Sequence, residues 1–299
     1  MDQKILYHHH LLLLLLSVVC FTEILLINCE LDESSIIERF REYLRIPSTH
    51  PNPDYSQTTR FILSQAREIG VEAQVLTFVE EKPLILLTWV GENPSLPSVL
   101  FNSHTDVVPA EQHKWMYGYG PFDANIDSHG NIFARGSQDM KCVGMQYLES
   151  LRVLKSMGFM PKRNFHLLFV PDEEIGGQDG MAEFVESSRF ADLNIGVVFD
   201  EGMVSPTNLY RVFNGERSAW WFVIKATGSP GHGSKLYDNS AVENLMISVE
   251  SISKFRRDQF DLLKKKIVSE GEVVSINLAY LKAGTPTPNV SGYTSIANF

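Results

Sequence analysis

"FHLLFVPDEEIGG", Phe165 to Gly177, joins an unbroken apolar run to three consecutive acids. The run up to Val170 has the pattern of a strand covered on both faces, as in the sheet of an α/β domain. Immediately beyond it, Glu173 and Glu174 stand side by side after Asp172. Like charges that close repel each other, and burial raises the cost. A chain that places them at the end of a buried strand needs a counter-charge there.

Around this stretch, strands alternate with helices. "SSIIERFREYLRIP" reads as an amphipathic helix with Ile36, Phe40, Tyr43 and Leu44 on one face and a capping box of Ser35 and Glu38, stopped by Pro47. A second helix, near Gln57 to Ile69, ends at Gly70. "VEAQVLTF", "PLILLTWV", "SVLFNSH" and "NIFARGS" read as strands, and Met140 to Lys155 as a helix. A helix near Met181 to Ser188 and the strand "IGVVFDEG" complete an α/β layered domain. After Phe213 the order changes to "AWWFVIKATG" as a strand, Asn239 to Phe255 as a helix with an Asp-Asn cap, and "GEVVSINLAYLKAG" as a strand. This predicts a smaller α+β domain. The expected division is a leader over 1–29, a catalytic domain over 30–213 and a second domain over 214–299.

The leader has Lys4 ahead of an apolar core from Leu11 to Phe21 and reads as a secretory signal peptide. A second apolar run, Ile24 to Ile27, extends it towards a membrane span, but Glu23 interrupts the two. An uncleaved anchor and a gene-model artefact are the alternatives. Cleavage would put the mature chain in the secretory pathway and make Asn289-Val290-Ser291 a glycan acceptor. Contact with a membrane is expected only if the leader is retained. Of three cysteines, Cys20 and Cys29 lie in or at the end of the leader, and Cys142 alone cannot form a disulfide framework in the body. With 44% hydrophobic residues, a net charge of −10 and no block of Lys or Arg, the body is globular and nucleic acid is not its partner.

Four apolar runs end in chemistry-bearing residues: "SHTDVVP" (His104, Asp106), "GSQDMK" (Asp139), "PDEEIGG" (Glu173, Glu174) and "VFDEG" (Asp200, Glu201). Taken singly, each has an ordinary reading as a turn device, a solvated loop or a helix N-cap. Together they would converge beyond the carboxyl ends of an open sheet, where such folds bind ligands. Converging carboxylates need cations. A pair of divalent ions about 3.5–4 Å apart would neutralise them and activate a water. Imidazole with carboxylates suits zinc and admits manganese or cobalt. One glutamate of the pair can then ligate while its neighbour serves as a base. Asp106, two residues on in extended backbone, can hold the second ring nitrogen of His104.

With "SHTDVVP", "ARGSQDMK", "LLFVPDEEIGG", "VFDEG" and "GERSAWWFVIKATGSPGHGS", the chain resembles the M20 family of metallopeptidases and amidohydrolases from about Glu38 to about Val290. The doubled Trp220–Trp221 favours its aminoacylase branch over the dipeptidases and carboxypeptidases, which share the metal set. The resemblance implies a zinc-exopeptidase-like three-layer catalytic domain with an inserted lid and dimerisation domain, incomplete here. It implies two zinc ions per subunit, N-acyl-L-amino acids as substrates and a homodimer. His104 and Glu201 would bind one zinc, Glu174 the other, and Asp139 would bridge them. Glu173 would be the general base and acid, Asp106 would orient His104, and His232 would polarise the scissile carbonyl in a neighbouring subunit. Family members continue past the point where "TPNVSGYTSIANF" diverges, and their return supplies a last His for the second zinc and an Arg for the substrate carboxylate. The second metal site is therefore expected to be incomplete, since His113, His129 and His166 fall in no matching motif, and a catalytically inactive chain is the alternative to a working hydrolase. The leader also departs from a family branch that is typically cytosolic.

Overall fold

A computed structural model describes residues 32–283 apart from 116, 117, 204, 206, 208, 210, 214 and 216. The leader over 1–29, the sequon at 289–291 and the divergence after residue 290 lie outside the described residues. Contacts divide the chain into two units, residues 1–214 and 215–299.

In the first unit, helix α1 (Glu33–Leu44) is capped by Asp32 and not by the expected box. Ser35 N donates to Asp32 Oδ1 at 3.2 Å, while Glu38 pairs with Arg41 and Arg45, each at 2.7 Å. A carboxylate at the positive end of the helix is the stronger cap. Helix α2 (Tyr55–Ile69) is capped by Asp54 and ends at Gly70 as read. The strands β1 (Glu72–Val79), β2 (Lys82–Trp89) and β3 (Ser98–His104) follow. The run "NIFARGS" yields only a two-residue strand, β5 (Ile132–Phe133), paired with β4 (Asn125–Ile126). Helix α3 (Lys141–Ser156) leads to β6 (Phe165–Val170). The single helix expected near Met181 is two, α4 (Met181–Val185) and α5 (Ser188–Asp192), because Ser187 stops one and caps the other through Phe190 N. Strand β7 (Ile195–Phe199) closes the series.

The five long strands form one sheet in the order β1-β2-β6-β3-β7. Pairing is antiparallel from β1 to β6 and parallel for β6–β3 and β3–β7. The parallel strands therefore end on one edge, with β3 between strands reached by connections in opposite directions. Period-two side chains divide the core. Ile85, Leu87, Phe101, Leu167 and Phe169 face α2 and α3 in one cluster with Ile62 and Leu148. Leu84, Leu86, Leu100, Leu168 and Val170 pack with Phe184 and Leu193 on the other face. This gives three layers, helices on both faces of a sheet.

The second unit holds α6 (Ala241–Lys264), capped by Ser240 and not by the Asp-Asn pair before it. It runs beyond Phe255 because no Gly or Pro intervenes before Lys264. Two expected strands, Ala219 to Gly228 and Gly271 to Gly284, correspond to no strand among the described residues. Alternating sequence makes a strand only against a neighbour, and Trp220, Trp221 and Val223 are 85%, 88% and 95% exposed.

Two predictions follow from the packing of the sheet. A side chain on Gly144 of α3 would lie 2.8 Å from Ser103 Oγ and 2.9 Å from Phe169 Cε1. Gly144→Val is expected to lower unfolding free energy by about 1–3 kcal/mol in urea titrations, with exposed Gln146→Ala as a near-neutral control. His166 of β6 is buried, with Nδ1 3.0 Å from Thr88 Oγ1. Burial, then the charge of Arg189, brings its pKa down to about 4. Between pH 6.5 and 4 the unfolded chain binds this proton and the folded chain does not. Stability is therefore full above pH 6.5 and falls on acidification by about 2–3 kcal/mol. His166→Gln is expected to flatten that limb of the stability profile, and an unchanged limb would refute the assignment.

Candidate metal centre

The three parallel strands deliver their following residues to one edge of the sheet. His104 is the last residue of β3 and is fully buried. Its Nδ1 lies 2.9 Å from the backbone oxygen of Asp106. A carbonyl only accepts, so Nδ1 carries the hydrogen. Nε2 then faces Asp139 Oδ1 at 2.9 Å, Glu201 Oε2 at 3.7 Å and Glu173 Oε2 at 3.8 Å. All three are acceptors. A neutral ring would direct its lone pair into carboxylate oxygens, so the position calls for a cation on Nε2, either a proton or a metal ion. Burial opposes the charged ring, but the carboxylates of Asp106, Asp139 and Glu201 outweigh it and push the pKa up to about 12.

The acids respond to the same field. Asp139 precedes α3, yet Met140 is the N-cap position and the Asp139 side chain turns to His104. That bond holds the Asp139 carboxyl below its usual range, against a smaller opposing effect of burial. Burial raises Glu173 to about 7, with Glu201, Glu174 and Asp106 adding to it and His104 opposing. Glu174 is also raised, first by burial and then by Asp139. Asp200, the neighbour of Glu201, accepts from Asn102 Nδ2 at 2.9 Å and serves as a brace.

The turn that carries the adjacent glutamates is fixed at several points. Gly176 and Gly177 have φ of 103° and 64°, a region that favours glycine, so the chain folds back and Gly177 N donates to Asp172 O at 2.8 Å. Glu173 N and Glu174 N donate to Asp106 Oδ1 and Oδ2 at 3.2 and 3.0 Å. The expected role of Asp106 is thus divided. Its backbone oxygen holds the His104 ring, its Oδ1 lies further off at 3.4 Å, and its carboxylate mainly anchors the glutamate turn.

Sequence reasoning missed His50, whose Nε2 lies 2.8 Å from Asp106 Oδ2. No spacing pattern could have found it, because His50 sits in a proline-rich connection far from its partner in sequence. His232 belongs to the second unit, where its Nδ1 accepts from Ser234 N at 3.2 Å.

Two sets of ligand atoms lie within 4.8 Å of one another: His104, Glu173 and Glu201, and His104, Asp139 and Glu174. The nitrogen-plus-carboxylate donors fit a divalent cation of the zinc class. These sets regroup the expected ligands around a shared His104 and bring all five side chains into one cluster.

The profile of peptidase family M20/M25/M40 matches residues 100–287. Over 268 residues the chain is 44% identical to aminoacylase-1 of Mus musculus, covering 89% of this chain and 65% of that protein. It is 43% identical over 272 residues to aminoacylase-1 of Dictyostelium discoideum, covering 88% and 65%. The chain thus spans just under two thirds of the length of these curated relatives. The crystal structure of human carnosine dipeptidase 1 superposes with a TM-score of 0.50 at 16% identity, over 67% of this chain and 41% of that one. At that identity the likeness is one of fold.

In cation-free protein, His104 is expected to remain an imidazolium at pH 8, well below its raised pKa of about 12. Ring ¹⁵N shifts should show both nitrogens protonated. A neutral ring at pH 8 would contradict the acceptor arrangement around Nε2.

Proposed function

The chain belongs to peptidase family M20/M25/M40, and on that premise we propose that it is a metal-dependent amidohydrolase that converts N-acyl-L-amino acids to a carboxylate and a free L-amino acid. The observation that carries the reading is the buried His104 Nε2 set against Asp139, Glu173 and Glu201. The substrate class is supported by the 44% identity to a protein named aminoacylase-1.

His104 and Glu201 would hold one zinc ion and Glu174 a second, with Asp139 as a ligand available to either. When bound, divalent cations neutralise the carboxylates and polarise the water and the scissile carbonyl. Glu173 sits beside a ligating residue, and burial raises its carboxyl to about 7 in the cation-free chain; we give it the role of accepting and returning a proton. It takes a proton from the attacking water as the new C–O bond forms. It gives that proton to the nitrogen as the amide C–N bond breaks. Asp106 keeps Glu173 in place by accepting its backbone N–H. His232 is the candidate donor to the carbonyl oxygen, reaching the site of a partner subunit in a homodimer.

A panel of N-acetyl-Met, N-acetyl-Ala and dipeptides on the zinc-loaded protein tests the substrate class. Faster cleavage of dipeptides would move the assignment to the peptidase branch. Glu173→Gln is expected to lower kcat by about 10²–10⁴-fold while zinc content, read by mass spectrometry, is unchanged. Turnover near that of the parent would remove Glu173 from proton transfer.

A further inference from the structure

We propose that His50 is a positioning residue for the Glu173–Glu174 pair, acting through the Asp106 carboxylate. The inference rests on reading those glutamates as base and metal ligand. The connection between α1 and α2 runs along the chain just beyond β3. Val107 N donates to Ser48 O at 2.9 Å, and His50 N donates to Val107 O at 3.2 Å. Ser48 Oγ donates to Thr105 O, and Tyr55 OH at the far end donates to Pro171 O. The connection is therefore fastened both to the segment after His104 and to the segment before the glutamates.

His50 makes the central contact. Asp106 is fully buried and His50 is 7% exposed. An ionised carboxylate accepts at about four positions. Here Oδ1 faces Glu173 N at 3.2 Å and His104 Nδ1 at 3.4 Å, and Oδ2 faces Glu174 N at 3.0 Å and His50 Nε2 at 2.8 Å. Because a carboxylate only accepts, Nε2 of His50 carries its hydrogen. The two amides approach the carboxylate from one turn, and His50 approaches Oδ2 from a different segment. That contact fixes the carboxylate plane in which each oxygen meets one amide. Without it Asp106 can rotate and release either amide, and the glutamate side chains lose their shared orientation.

A histidine that only fills space would be replaceable by volume, whereas a positioning histidine needs its N–H. The experiment measures hydrogen exchange at the Glu173 and Glu174 amides and zinc affinity in the full chain, in His50→Ala and in His50→Gln. In His50→Ala, exchange at these two amides should accelerate by about tenfold or more, and zinc binding should weaken by about 10–100-fold. Exchange at Leu86 and Leu168 should not change. Gln, which keeps a donor, should restore both readouts. Unchanged exchange in His50→Ala, unchanged zinc affinity, or equal loss in Ala and Gln would overturn the proposal. Nitrogen NMR of the unmutated chain is independent of whether a variant folds. It should find the hydrogen on Nε2 of His50, and a ring protonated on Nδ1 alone would also overturn it. If the parent chain binds no zinc, the functional reading fails, while amide exchange and the His50 tautomer still decide the role of His50.

Discussion

The Asp106 carboxylate joins three pieces of chain that share no helix or strand: the segment after β3, the glutamate turn after β6 and the connection between α1 and α2. A buried charge of this kind is tolerated only when its acceptor positions are used. Here two amides and the His50 imidazole donate to it, with His104 Nδ1 further off at 3.4 Å. The arrangement sets the rest of the edge. It holds the backbone of Glu173 and Glu174, while the Asp106 carbonyl fixes the His104 ring so that Nε2 meets the carboxylates. Removing the negative charge of Asp106 would leave several donors without an acceptor in the same small volume, where each unsatisfied group costs about 1–3 kcal/mol.

The candidate metal centre is also an electrostatic compromise. Glu173 and Glu174 are adjacent, and burial displaces both upward, with neighbouring carboxylates adding to the shift. His104 is displaced upward as well, against its own burial, because the carboxylates outnumber it. A proton and a metal ion satisfy this geometry in the same way, by placing positive charge between Nε2 and the oxygens.

Much of this was legible in the sequence. The unbroken apolar run Phe165–Val170 announced a strand covered on both faces, and its acids announced the edge at which the carboxylates gather around His104. His104, Asp139, Glu173, Glu174 and Glu201 were found because each follows a recognisable run or lies in a family motif. What stayed hidden were contacts between segments. The His50–Asp106 bond has no sequence period, and the division of Asp106 between its carbonyl and its carboxylate depends on how the turn after β6 folds back. Local competition also decided details, as when Asp32 displaced the Ser35 box and Ser187 split one helix into two. The alternation at Trp220–Trp221 suggested a strand, but alternation supplies no pairing partner, and both rings are largely exposed.

The order of strands has a consequence for synthesis. Val99 pairs with Phe165 on one side and with Val197 on the other, so the middle strand of the parallel set waits for partners made much later. Closing such long loops costs chain entropy before any contact repays it, and non-local pairing of this kind is slow. On a ribosome His104 emerges early and Glu201 last among the clustered residues. The imidazole therefore has no complete ring of carboxylates until nearly the whole first unit has left the exit tunnel. During that interval the half-made sheet presents an open β3 edge to chaperones, and a divalent ion captured afterwards would act as a late lock on a fold already assembled.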